Sequence, residues 1–140
     1  MVPYKVKSPV QIRFVDNDML RHVNATVYYT YFEVARGHFF DEVLTGADWK
    51  EQQDLSIVIA HSEMDYKQQL RFRDEAYAYV WISSVGTKSF EVSFLLVKMD
   101  GGEEVTVAEG KATMVCINLK TEKTLAIPED WKQKFNQQQV

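Results

Sequence analysis

The sequence predicts an α+β domain, with one long helix laid against a five-stranded antiparallel sheet. Three observations carry this prediction. Between residues 25 and 44 apolar side chains recur at every fourth position. From residue 56 to about residue 119 they alternate in runs with polar ones. Short turns separate the runs, the clearest being Asp100-Gly101-Gly102. A period near 3.6 marks a helix, a period of two marks a half-buried strand, and short turns make successive strands antiparallel neighbours.

Taken in order, residues 9–15 alternate and place Val10, Ile12 and Phe14 on one face of a first strand. Residues 16–22 are too polar for a core strand and read as a loop. Val27, Tyr31, Ala35, Phe39 and Val43 then form a helical stripe, widened by Tyr28 and Phe32. Asn24 or Thr26 is positioned to cap the first N–H groups, and Thr45-Gly46 to end the helix. A stripe this broad and aromatic predicts a helix covered on most sides, and Gly37 within it predicts close approach of another backbone. Residues 47–54 read as a short helical turn or loop.

Four strands follow. Residues 56–70 place Val58, Ala60, Met64 and Tyr66 on one face. Residues 75–85 place Tyr77, Tyr79, Trp81 and Val85 on one face and Ala78, Val80 and Ile82 on the other. Residues 89–99 align Phe90, Val92, Phe94 and Leu96, and residues 104–119 align Ala108, Gly110, Ala112 and Met114. Gly101-Gly102 supplies the positive φ of a tight hairpin, and Gly86-Thr87 marks a second turn. The small residues Ala108, Gly110 and Ala112 leave room for the helix to lie close. Pro128 opens a short final helix carrying Trp131 and Phe135. One helix cannot cover a long five-stranded sheet, so dimerisation through a sheet edge or the helix is expected.

Composition narrows the function. The chain has 140 residues, 46% of them hydrophobic and 26% charged, which suits one globular domain. A net charge of −4 argues against a nucleic-acid partner, which requires a basic footprint. The single Cys116 forbids an internal disulfide and a Cys-rich zinc site. No apolar run is long enough to span a membrane, and no secretory signal opens the chain, so the expected location is the cytoplasm. Aromatics form 13% of the residues, a surplus that suits subunit contacts or an apolar ligand.

The chemistry is concentrated in residues 16–36. Two carboxylates, Asp16 and Asp18, an imidazole, His22, and an amide, Asn24, stand immediately before the predicted helix. A helix N-terminus carries free N–H groups and about half a positive charge, so it polarises a carbonyl and holds the oxyanion that attack produces. A carboxylate beside it serves as nucleophile or as base for water. Acyl transfer needs that pairing. Asp16 reads as the structural member and His22 as a packed, hydrogen-bonded residue, with a general-base role as its alternative. Glu33 and Arg36, three apart, read as a solvated pair. His61, Glu63 and Asp65 alternate on a strand and read as an exposed polar face rather than a metal site.

The run Asp18-x-x-x-His22-Val23-Asn24-x-x-x-Tyr28-x-x-Tyr31-x-Glu33-x-x-Arg36 resembles the signature of hotdog-fold acyl-CoA thioesterases of the 4-hydroxybenzoyl-CoA thioesterase family. The likeness extends through Asp65-Tyr66, residues 70–74, Lys88-Ser89-Phe90, Gly101-Gly102 and Ile127-Pro128-Glu129. It implies the hotdog fold, a long helix wrapped by a five-stranded antiparallel sheet, and hydrolysis of an acyl-CoA substrate. The family's catalytic acid falls on Asp18, the thioester carbonyl lies against N–H groups near Ala25, and Tyr28 lines the pocket. Lys88 and Ser89 match positions near the CoA phosphates. Hotdog sites lie at subunit interfaces, so the resemblance implies a homodimer or homotetramer, with no metal or redox cofactor. The chain departs from the family at three places: Arg21 and Arg73 stand where relatives carry Gly, and Ala25 where they carry a second Asn. Two alternatives stay open, a non-catalytic module that binds acyl-CoA or an acyl carrier on the same scaffold, and a hotdog dehydratase or hydratase. Glu33 is an alternative catalytic acid to Asp18.

Overall fold

Gly101 and Gly102 take φ angles of 62° and 84°. Two successive positive values are what a two-residue type I′ hairpin demands. A computed structural model describes residues 5–44 and 54–137. In it this turn joins β4 (Ser89–Asp100) to β5 (Glu103–Asn118), with Asp100 opposite Glu103. The other strands are β1 (Val6–Val10), β2 (Leu55–Tyr66) and β3 (Ala76–Val85). The sheet order is β1-β3-β4-β5-β2, with every neighbouring pair antiparallel. The predicted α+β architecture is the observed one.

The long helix α1 (Val27–Val43) lies nearest β3 and β1. It buries Tyr28, Tyr31, Phe32, Ala35, Phe39 and Val43, the predicted stripe. The Phe32 and Phe94 rings stack with centroids 4.7 Å apart, tying α1 to β4. Rings in such offset contact add about 1 kcal/mol to what their burial already contributes. The short helix α2 (Glu129–Gln137) follows Pro128 and buries Trp131 and Phe135. Cys116 is buried in the same core, and burial pushes its thiol up to about 11, so it is unreactive.

Several expectations need correction. The first strand ends at Val10, and Phe14 lies in a 3-10 turn, 77% exposed, instead of facing the core. Among the described residues the helix is covered on one side, with Tyr29, Glu33, Val34 and His38 exposed. Nothing approaches a Cβ placed on Gly37 within 4 Å among the described residues. Gly110 makes room for β2 rather than for α1: a Cβ there would lie 2.9 Å from the Glu63 carbonyl oxygen and the Met64 sulfur. In β2 a bulge falls between Ile59 and His61, so Leu55 and Ile57 face the core before it and Met64 after it, while Val58 is exposed. A second bulge between Ile82 and Ser84 turns Val85 onto the core face, away from Tyr77, Tyr79 and Trp81. One extra residue reverses the facing of all that follow it. Arg36 is 7% exposed and lies over the Phe32 ring at 4.4 Å, so it is buried rather than solvated, although it still feels the charge of Glu33. The endings predicted at Thr45-Gly46 and over residues 47–53 lie outside the described residues.

Candidate active site

Residues 16–24 fold back on themselves as a miniature hairpin. Asn24 N–H donates to the Asp16 carbonyl at 3.0 Å, Asn17 bridges Val23, and Asp18 N–H donates to the His22 carbonyl at 3.0 Å. The turn closes with Arg21 N–H on the Asp18 carbonyl at 3.0 Å, and Arg21 takes a φ of 68°. This is the left-handed region that favours Gly, so the turn holds an arginine in a backbone conformation that a side chain rarely adopts. Asp18 and His22 stand opposite each other across the turn, and both are half-buried.

The two carboxylates have different surroundings. Asp16 is 2% exposed. It accepts hydrogen bonds from the Arg13 N–H at 2.8 Å, the Tyr31 hydroxyl at 2.8 Å and two guanidinium N–H groups of Arg13 at 3.1 and 3.2 Å. Burial pushes the Asp16 carboxyl upward, but these donors together hold it below its ordinary range. Burial and the bond to Asp16 push the Tyr31 hydroxyl well above its usual value. Asp18 accepts one bond, from the Leu20 N–H at 2.8 Å through Oδ1. Its other carboxylate oxygen has no protein donor among the described residues. Asp16 is thus a structural anchor, as its place in the sequence implied, and Asp18 is the carboxylate left available.

Asn24 organises the helix entry. Its Oδ1 accepts the Thr26 N–H at 2.9 Å and the Thr26 hydroxyl at 2.8 Å, and its carbonyl accepts the Val27 N–H at 3.0 Å. The Tyr28 and Tyr29 N–H groups reach the Ala25 and Thr26 carbonyls at 3.4 and 3.3 Å. The Ala25 N–H donates to no protein group among the described residues, and Ala25 is exposed. It is the free donor at the positive end of α1, seven residues along the chain from Asp18. The Tyr66 hydroxyl donates to the Ala25 carbonyl at 2.9 Å and fixes this turn against β2. Tyr28 is 3% exposed and meets Tyr66 edge to face at 5.0 Å; its burial raises the hydroxyl above its usual value. The His22 ring lies 3.4 Å from the Val23 carbonyl.

Two hollows flank the part of the loop that holds Asp18 and His22. One, of about 280 Å³, is lined by His22, Ala25, Tyr28 and Tyr66. The other, of about 770 Å³, is lined by Asp18, Arg21, Phe14, Phe72, Arg71 and Arg73 among others. The Val23 N–H donates to the Leu70 carbonyl at 2.7 Å and so fastens the residue 70–74 turn beside the loop. Along the sequence Tyr66 has only a strand face and a point of likeness, and Arg73 only a departure; the fold brings both to the site.

Lys88 and Ser89 are not brought to Asp18 within one chain. Ser89 opens β4 beside Val85, whereas the loop adjoins the end of the sheet where Ala76 faces Lys98. Nine residues of strand at about 3.3 Å each put roughly 30 Å between those ends. The Lys88 ammonium instead donates to the Thr124 hydroxyl at 3.3 Å. His61 pairs with Glu63 at 3.3 Å on exposed β2, and no group of three His, Cys, Asp or Glu side chains among the described residues could hold a metal.

Residues 12–135 match the profile of the Thioesterase-like superfamily. The chain belongs to that superfamily. It is 24% identical to the long-chain acyl-CoA thioesterase FadM of Escherichia coli over 132 residues, 94% of this chain and 98% of that one. Among solved structures it is similar to a Thermus thermophilus thioesterase complexed with coenzyme A and Zn, at 28% identity and a TM-score of 0.78, covering 98% of this chain and 96% of the other. A predicted thioesterase from Bacillus stearothermophilus superposes with a TM-score of 0.82 at 23% identity, covering 97% of each chain. The superfamily and these superpositions identify the helix-and-sheet arrangement as the hotdog fold. No described helix is long and apolar enough to cross a membrane.

Proposed function

We propose that this member of the superfamily hydrolyses an acyl-CoA thioester to the free acid and CoA. The observation that carries the reading is the half-free Asp18 carboxylate in the loop that leads into α1, whose entry leaves the Ala25 N–H unspent. Asp18 attacks the thioester carbonyl carbon or takes a proton from the attacking water. Electron density moves to the carbonyl oxygen, which the Ala25 N–H and the positive end of α1 hold. Collapse of that oxyanion expels the CoA thiolate; where Asp18 is the nucleophile, water then cleaves the Asp18–acyl anhydride, releasing the acid and restoring the carboxylate. His22 orients the turn opposite Asp18, Asn24 fixes the helix entry, and Tyr28 and Tyr66 wall the side on which the acyl group lies.

The site is completed by a second copy of the chain. β2 is 12 residues long, pairs on one side only, with β5, among the described residues, and is exposed over much of its length. A long open edge of this kind calls for a partner. Only in such an assembly do Lys88 and Ser89 come within reach of a CoA bound at Asp18.

The relative named as a long-chain acyl-CoA thioesterase and the neighbour holding coenzyme A make acyl-CoAs the class to test first. The test is release of free thiol from short, long and aromatic acyl-CoAs by the wild-type protein. Turnover above the uncatalysed rate is expected, and the preferred ester names the acyl group. Binding of every ester without turnover overturns hydrolysis and leaves the binding-module reading, which Arg21 beside Asp18 favours.

A further inference from the structure

We infer that Arg21, Arg71 and Arg73 form an anion site for the phosphate groups of the substrate's CoA. The inference rests on the acyl-CoA reading of the Asp18 site.

Three observations lead to it. The three arginines line one hollow of about 770 Å³, and Asp18 lines it too, so a ligand there is continuous with the reacting centre. Among the described residues none of the three guanidiniums has a carboxylate partner, while Arg13, in the same loop region, is spent on Asp16. A chain with a net charge of −4 has thus gathered three unpaired cations beside its candidate catalytic acid. That arrangement raises the local concentration of a polyanion and adds forked donors suited to phosphate oxygens.

The walls suit the rest of the nucleotide. Phe14 and Phe72 meet edge to face at 5.6 Å, and the Arg73 guanidinium lies 5.6 Å from the Phe72 ring centroid. Phe14 is exposed, and Met19 at the rim is 98% exposed. Exposed rings next to guanidiniums provide a face for a purine as well as charge for its phosphates. Arg21 and Arg73 converge on this one hollow although 52 positions separate them in the sequence. Their meeting depends on the Val23–Leu70 hydrogen bond, which fastens the two turns together.

The loop then separates two duties. The hollow walled by Tyr28 and Tyr66 lies on the Ala25 side, and the arginine hollow lies on the Asp18 side. A thioester placed at Asp18 sends its acyl group one way and its CoA arm the other.

The experiment has a binding arm and a kinetic arm, on wild type, Arg21→Gly, Arg71→Gln, Arg73→Gln and Lys88→Gln. Adenosine 3′,5′-bisphosphate, which carries phosphates but no thioester, is titrated by calorimetry. Each arginine variant is expected to weaken its binding by roughly tenfold, as loss of one charge-assisted phosphate contact implies. Wild-type affinity is expected to fall as salt is raised. In the kinetic arm, KM for an acyl-CoA rises in the arginine variants at least tenfold more than KM for the same acyl group on pantetheine, which lacks the nucleotide. Arg21→Gly restores the residue that a positive φ favours, so it folds and keeps the test interpretable. Equal changes for the two thioesters, or bisphosphate binding lost in Lys88→Gln and kept in the arginine variants, would overturn the site. Arginine-dependent bisphosphate binding with no turnover of either thioester would uphold the phosphate site and overturn the hydrolysis reading instead.

Discussion

Asp16 and Asp18 are two residues apart and chemically identical, yet the fold gives them opposite tasks. Asp16 points inward, where four N–H and O–H donors from Arg13 and Tyr31 saturate it and keep it ionised. Asp18 sits at the turn, spends one oxygen on the Leu20 N–H, and opens onto the arginine-lined hollow. A carboxylate with every lone pair occupied cannot attack a carbonyl or accept a proton from water. One that is held by a single bond is positioned and still reactive. Donor count therefore separates structure from chemistry at this loop, and residue type does not.

The comparison breaks most visibly through stability. Asp16→Ala leaves the Arg13 guanidinium and the Tyr31 hydroxyl without their acceptor, and should destabilise the protein by about 3 kcal/mol. Asp18→Ala should change stability by no more than about 1 kcal/mol, because one turn hydrogen bond is lost at a half-buried site. Urea unfolding of the two variants measures both values, and similar losses would erase the distinction.

A smaller effect is expected from Tyr31→Phe, which removes one donor to a charged acceptor and should cost about 2 kcal/mol. The same pair predicts a pH dependence. The Asp16 carboxyl is held below its unfolded value of about 3.9, so its contribution is complete above that pH. It is lost as the pH falls through the lower folded value, since only the ionised form is favoured by the fold. Acid unfolding of wild type should therefore be steeper below about pH 4 than that of Asp16→Asn. Parallel curves would show that Asp16 is not held ionised by its donors.

The smallest effect belongs to Arg21→Gly. Relief of a left-handed φ gains about 1 kcal/mol, and the added freedom of the unfolded chain returns much of it. Thermal unfolding should place this variant within about 1 kcal/mol of wild type. A large loss would mean that the Arg21 side chain, rather than its backbone, holds the loop.

The sequence made local features legible. The α1 stripe and the Gly101-Gly102 turn depend on residues close in the chain, and both stand as expected. Features decided by distant partners were not legible. The bulges at residue 60 and residue 83 depend on β5 and β4, so the facing of Val58 and Val85 could not be read from alternation alone. Phe14 continued an alternating pattern but was drawn into a turn by the Arg13–Asp16 contacts. Arg36 is buried over Phe32, a placement that spacing from Glu33 did not reveal. The arginine hollow requires residue 21 to meet residues 71 and 73, a contact made through Val23 and Leu70.

The most direct test of the account is thiol release by Asp18→Asn and Asp16→Asn, assayed side by side well below either melting temperature on the ester that wild type prefers. The account predicts that Asp18→Asn lowers kcat by roughly 10³-fold or more at a wild-type melting temperature. It predicts that Asp16→Asn keeps kcat within about tenfold while melting earlier. Full turnover in Asp18→Asn, or loss of kcat confined to a folded Asp16→Asn, would contradict it.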